Sequence, residues 1–181
     1  MNRLICLILT TLLTGCASMQ DAMTPSAAVI KDDFDGKIIV RQAPVGAASS
    51  LGETFHSLGF EWTEKFPNTV FLTAGFALGV RSIQDVAFNA DGRIVDKIKQ
   101  ASVLTDFERA GSATSSYRRF EMSLEDFRII ANAKEVKMRV GGINDYTVSS
   151  FGPATGAGAA VTLKFRPFLE QIEAVRSGKN P

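Results

Sequence analysis

One histidine, His56, and two cysteines, Cys6 and Cys16, leave this 181-residue chain few routes to covalent chemistry. A Ser-His-Asp or Cys-His device needs an imidazole, so His56 in Glu53-Thr54-Phe55-His56 would have to supply it. No Gly-x-Ser-x-Gly elbow offers a serine to it. A histidine at a polar loop entry reads as a surface or strand-edge residue, and no catalytic residue is assigned. The ordinary zinc ligand sets need more histidine and thiol than the chain has. Asp33-Phe34-Asp35-Gly36 has the middle of a calcium-loop pattern, but its register puts Lys31 at the first ligand position and no glutamate closes it. An Asp-Gly turn explains the segment better. Gly152 to Gly158 precedes a helix as a phosphate-cradling loop would, yet no Gly-Lys-Thr/Ser follows, so it reads as a connection. The many acids single out no pair for carboxylate-only hydrolysis. The reading therefore expects no metal and no cofactor.

Non-covalent contact is better represented. Tyr117-Arg118-Arg119 stands on an expected strand, and Tyr and Arg are the residue types that dominate contact patches, so these three are the candidate partner contact. Basic strands with aromatic neighbours also occur on nucleic-acid platforms. A net charge of +1 gives no electrostatic reason for such a partner. Phenylalanine is abundant, 13 residues against 2 tyrosines. Rings without a polar handle fill a core or line a cleft for an acyl chain or other apolar ligand.

Arg3 is followed by the apolar run Leu4 to Leu13 and then Thr14-Gly15-Cys16, the layout of a secretory signal. The run is half the length a transmembrane helix needs, about 20 residues. Leu13-Thr14-Gly15-Cys16 resembles the lipobox of bacterial lipoproteins. That resemblance implies lipid on the Cys16 sulfur, cleavage after Gly15 and acylation of the new amino terminus. By the sorting rule of enteric lipoproteins, Ala17 after the cysteine implies the outer membrane, with the protein facing the periplasm. Residues 1–15 are thus expected to be a signal peptide, 16–30 the lipidated cysteine and a tether, and 31–181 one domain. The processed chain carries no thiol besides Cys16, so packing alone must stabilise it.

The elements that would position these residues follow from periodicity and turn chemistry. Lys37–Arg41 reads as a short strand, with the Pro, Gly and Ser residues from Ala43 to Gly52 as loop. Leu58, Phe60 and Trp62 alternate with smaller or polar residues, and Thr69 to Ala74 is evenly apolar; both are strands, the second central. Asp91-Gly92 predicts a hairpin between arms at Val80–Phe88 and Ile94–Leu104. Phe107 to Ser116 reads as loop and Tyr117 to Met122 as strand. Ser123 is the N-cap of a helix with Leu124, Phe127, Ile130 and Ala131 on one face. A hairpin over Val136–Val140 and Tyr146–Phe151 follows. A last helix at about 158–176 carries Pro167, which predicts a kink or a start near Arg166. The class is α+β: a mainly antiparallel sheet with two helices, about 124–133 and 158–176, on one face.

The expected function is a non-catalytic binding or accessory module of the cell envelope, held in the membrane by its lipid and possessing a protein partner there. A carrier or sensor of an apolar ligand is the alternative, and a carboxylate-only hydrolase a distant third. The sequence leaves the oligomeric state open.

Overall fold

A computed structural model describes residues 26–48, 55–76, 79–110, 113–155 and 159–178. It is an α+β fold with every strand pair antiparallel. The strands are β1 (Ala28–Lys31), β2 (Ile38–Gly46), β3 (His56–Thr63), β4 (Thr69–Phe76), β5 (Asp85–Ala90), β6 (Arg93–Val95), β7 (Lys99–Gln100), β8 (Asp106–Ala110), β9 (Ala113–Ser123), β10 (Val136–Gly141) and β11 (Tyr146–Phe151). The helices are α1 (Leu124–Asn132) and α2 (Thr162–Arg176). They form two sheets. The larger runs β1-β2-β3-β4-β9, with the long β9 bordered on its far side by both β7 and β8; the smaller runs β11-β10-β5-β6.

Even alternation sets the inner face of the larger sheet. Leu58, Phe60, Trp62, Val70, Leu72, Phe120 and Met122 are buried there, while Glu61, Thr63, Phe71, Thr73, Arg119 and Glu121 are not. β4 is indeed central, between β3 and β9. Phe60 of β3 meets Phe127 of α1 and Phe165 and Phe168 of α2 at centroid distances of 5.0, 4.8 and 5.4 Å, and Phe165 stacks on Phe151 of β11 at 5.8 Å. Ring pairs of this kind contribute about 0.5–1.5 kcal/mol each beyond their area. Both helices therefore lie on the inner face of the larger sheet, with the smaller sheet joined to the same core.

α1 begins where its cap predicts: the Ser123 Oγ accepts the Asp126 N–H at 3.0 Å. α2 starts at Thr162, between the two expected starts at about 158 and near Arg166, and passes through Pro167. Pro167 has no N–H for the carbonyl of Leu163, and its ring crowds that carbonyl.

Four readings of the sequence change. The first strand, Ala28–Lys31, takes in the end of the expected tether. β2 continues through Ala43–Gly46, where a loop is expected, because a bulge between Gln42 and Val45 accommodates Pro44; residues 49–54 lie outside the described residues. Across Phe107 to Ser116, expected as loop, Asp106–Ala110 and the start of β9 pair as a β-hairpin. The Asp91-Gly92 turn is a hairpin, with φ of 50° and 90°, but its arms are short. Beyond Val95 the chain leaves the smaller sheet, and Lys99-Gln100 pairs with β9 of the larger one.

Candidate functional site

His56 opens β3 opposite Phe76, on the same face as Leu58, Phe60 and Trp62. It is 1% exposed, not a surface or edge residue as its loop-like neighbourhood suggests. Its Nδ1 lies 2.7 Å from the Ser149 Oγ and its Nε2 2.9 Å from the Thr147 Oγ1, both on β11 of the other sheet. The ring sets its edge against Phe76 at 5.0 Å. A neutral imidazole has one N–H and one lone pair, so one hydroxyl accepts from the ring and the other donates to it. Ser149 is wholly buried, which keeps its hydroxyl from a substrate. The arrangement is a tie between the sheets.

On the outer side of this tie, the seam holds an open cavity of about 290 Å³. Phe76 and Val140 line it with the polar groups of Arg81, Asn144, Asp145 and Thr147. Arg81 sits over the Phe76 ring at 5.2 Å and pairs with Asp145 at 3.6 Å. Its lining is mixed, with Ile143 adding to the apolar side, and Phe76 is its one phenylalanine.

The three candidate contact residues separate. β9 alternates, so Tyr117 and Arg119 face outward and Arg118 faces inward with Phe120 and Met122. Arg118 is 5% exposed and is not part of a surface patch. Its guanidinium donates to the carbonyls of Ile83 (2.6 Å), Ser102 (3.1 Å) and Val103 (2.8 Å) and to the Gln100 Oε1 (2.8 Å). It clamps the crossing from the smaller sheet to the larger.

Tyr117 and Arg119 stand on the open face. The Tyr117 ring packs into the space that a Cβ on Gly75 would fill, close to the Ser57 hydroxyl. Arg119 lies over the Phe71 ring at 4.5 Å and pairs with Glu61, which also holds Arg41 at 2.7 Å. The sequence reading missed Glu61 and Phe71 because they come from neighbouring strands. Cys16 lies outside the described residues.

In the acidic turn, carboxylates cap their own backbone: Asp32 accepts the Phe34 N–H at 2.8 Å and Asp35 the Lys37 N–H at 3.0 Å. Among the described residues no group of three or more His, Cys, Asp or Glu could hold a metal ion, and no helix is long and apolar enough to cross a membrane. No protein family and no curated protein matches the chain.

Proposed function

We propose that the protein is a bacterial lipoprotein, anchored through Cys16 to the outer membrane and facing the periplasm, whose domain is a non-catalytic binding or accessory module of the envelope. The observation that carries the binding role is the open face of the larger sheet. There Arg119 is held over the Phe71 ring by Glu61, beside a Tyr117 seated over Gly75. Side chains fixed in this way lose little entropy when a partner docks. The carrier reading has less support: Phe60, Phe127, Phe151, Phe165 and Phe168 close on one another in the core. The hydrolase reading gains no support from the imidazole, whose two nitrogens the hydroxyls of Ser149 and Thr147 occupy.

Recovery of partners from gently solubilised membranes tests the reading, with Tyr117→Ala and Arg119→Gln beside the wild type. Both variants should fold and lose the partner. Unchanged recovery with both would remove this face from consideration. Radiolabelled palmitate should enter the wild type and not Cys16→Ala; equal label would defeat the anchor.

A further inference from the structure

Several of the large exposed apolar side chains gather at one end of the molecule, while Phe34, Phe66 and Ile94 lie elsewhere. Phe55, Val80, Leu104, Phe107 and Ile143 are 47, 68, 72, 56 and 73% exposed, and all five belong to one end of the molecule. Phe55 precedes His56 at the end of β3 that pairs with Phe76. Phe107 pairs with Ser116, one step along β9 from Tyr117. The Ser116 hydroxyl donates to the Gly79 carbonyl and accepts the Arg81 N–H, which fixes Val80 between them. Ile143 lines the cavity with Phe76 and Arg81, and Leu104 adjoins Thr105, whose hydroxyl accepts the Ile83 N–H. The segment from Gly79 to Ile83 is thus the seam along which these side chains gather.

Charge at this end is partly cancelled or turned aside. Arg81 and Asp145 pair, and β8 alternates, so Asp106 and Glu108 point away from the side that bears Phe107. At the opposite end Phe34, 98% exposed, stands among Asp32, Asp33 and Asp35 in the β1–β2 turn, and Phe66, 46% exposed, sets its ring against Phe71 in the β3–β4 turn. An acidic turn is repelled by anionic headgroups.

The direction of the chain selects the occupant. β1 is antiparallel to β2, and β2 climbs from Ile38 to Gly46, which pairs with Ser57 next to His56. Traced backward from Lys31 to Ala28, β1 therefore heads toward the apolar end. Eleven residues lie between Cys16 and Ala28, a reach of at most about 40 Å over twelve Cα–Cα steps. We infer that this end is a membrane-facing surface: Phe55, Val80, Phe107 and Ile143 rest in the headgroup and upper acyl region of the bilayer that holds the Cys16 lipid. The inference rests on the lipoprotein reading. It sets the strands of the larger sheet steeply to the membrane, with the Tyr117–Arg119 face directed sideways.

The chain has a convenient property for a test, because after processing its one cysteine would be the acylated Cys16. Ile143→Cys, Phe107→Cys and Phe34→Cys each add a single labelling site at an exposed position. The full lipidated chains, carrying an environment-sensitive fluorophore there, are reconstituted into vesicles of phosphatidylethanolamine and phosphatidylglycerol. Labels at positions 143 and 107 should shift to shorter wavelength, be quenched by brominated lipid and resist aqueous iodide. The label at position 34 should do none of these. If palmitate enters the chains but all three labels behave as in water, the docking inference fails and the anchor stands. Palmitate failing to enter defeats the anchor and the docking together. Shielding of positions 143 and 107 in cells but not in protein-free vesicles would show that another protein covers this end, and would also overturn the inference.

Discussion

The His56 Nδ1 and the Ser149 Oγ meet at 2.7 Å across the seam between two sheets that share no strand. With Thr147 at the other ring nitrogen, one side chain spans from β3 to β11. Both partners are buried, so the contact braces one sheet against the other.

His56→Phe keeps an aromatic ring one heavy atom larger and removes both bonds, which leaves the buried Ser149 hydroxyl short of a partner. A buried polar group in that state costs about 1–3 kcal/mol, and His56→Ala adds a cavity, for roughly 3 kcal/mol or more in total. Urea unfolding should show both losses in that order. A His56→Ala protein that melts like the wild type yet loses a cellular phenotype would return the imidazole to chemistry.

Arg118 braces the chain crossing in the same manner. Arg118→Ala strands the carbonyls of Ile83, Ser102 and Val103, and should destabilise the domain by about 2–4 kcal/mol. Hydrogen exchange in the segment from Lys99 to Thr105 should accelerate more than elsewhere. Arg118→Ala with an unchanged melting curve would place the side chain back in solvent.

Local features were readable and partners across space were not. Asp91-Gly92, the Ser123 cap and the alternation of Leu58, Phe60 and Trp62 each act within a few residues of chain. Periodicity shows which face of a strand is buried, but not which strand covers it, so it could not divide the strands into two sheets. The short β7 is the sharpest case: Lys99-Gln100 continues one sheet's hairpin in sequence and joins the other sheet in space. The burial of His56 and Arg118 did have a sequence signal. His56 has the parity of Leu58, Phe60 and Trp62, and Arg118 that of Phe120 and Met122. Residue type, polar and basic, outweighed parity in the reading. The β8–β9 hairpin was hidden for a similar reason, its serines and threonines being loop formers that here hold the Gly79–Ile83 segment through Ser116 and support an edge.

Asp91 gives a pH dependence. Its carboxylate accepts the N–H groups of Lys134 at 2.9 Å and Glu135 at 2.8 Å, and these bonds hold its pKa below the ordinary carboxylate value. A depressed folded pKa means that the stabilisation is present above the unfolded value, near about 4. It is lost as pH falls through the folded value. Asn tolerates the positive φ of this position, so any backbone effect of Asp91→Asn is independent of pH. The gap in Tm between wild type and Asp91→Asn should be constant from pH 5 to about 8 and should narrow below about pH 4. A gap that widens in acid would contradict the hydrogen-bond geometry.

Arg119 decides how well the open face can be probed. Its side chain is 40% exposed, and Glu61, at 16%, is shared with Arg41. Loss of Arg119 leaves Glu61 one cation, so Arg119→Gln should cost about 0.5–1 kcal/mol, with the contact to Phe71 worth roughly 0.5–1 kcal/mol of its own. Arg119→Glu is harsher. It sets a carboxylate against Glu61 and should cost about 1–2 kcal/mol. A double-mutant cycle of Arg119→Gln with Glu61→Gln should return a coupling of about 0.5–1 kcal/mol that weakens as salt is raised from about 0.05 to 0.5 M. Zero coupling at low salt would mean that Arg119 swings free of Glu61, and the preorganised patch on which the proposed binding role rests would be gone.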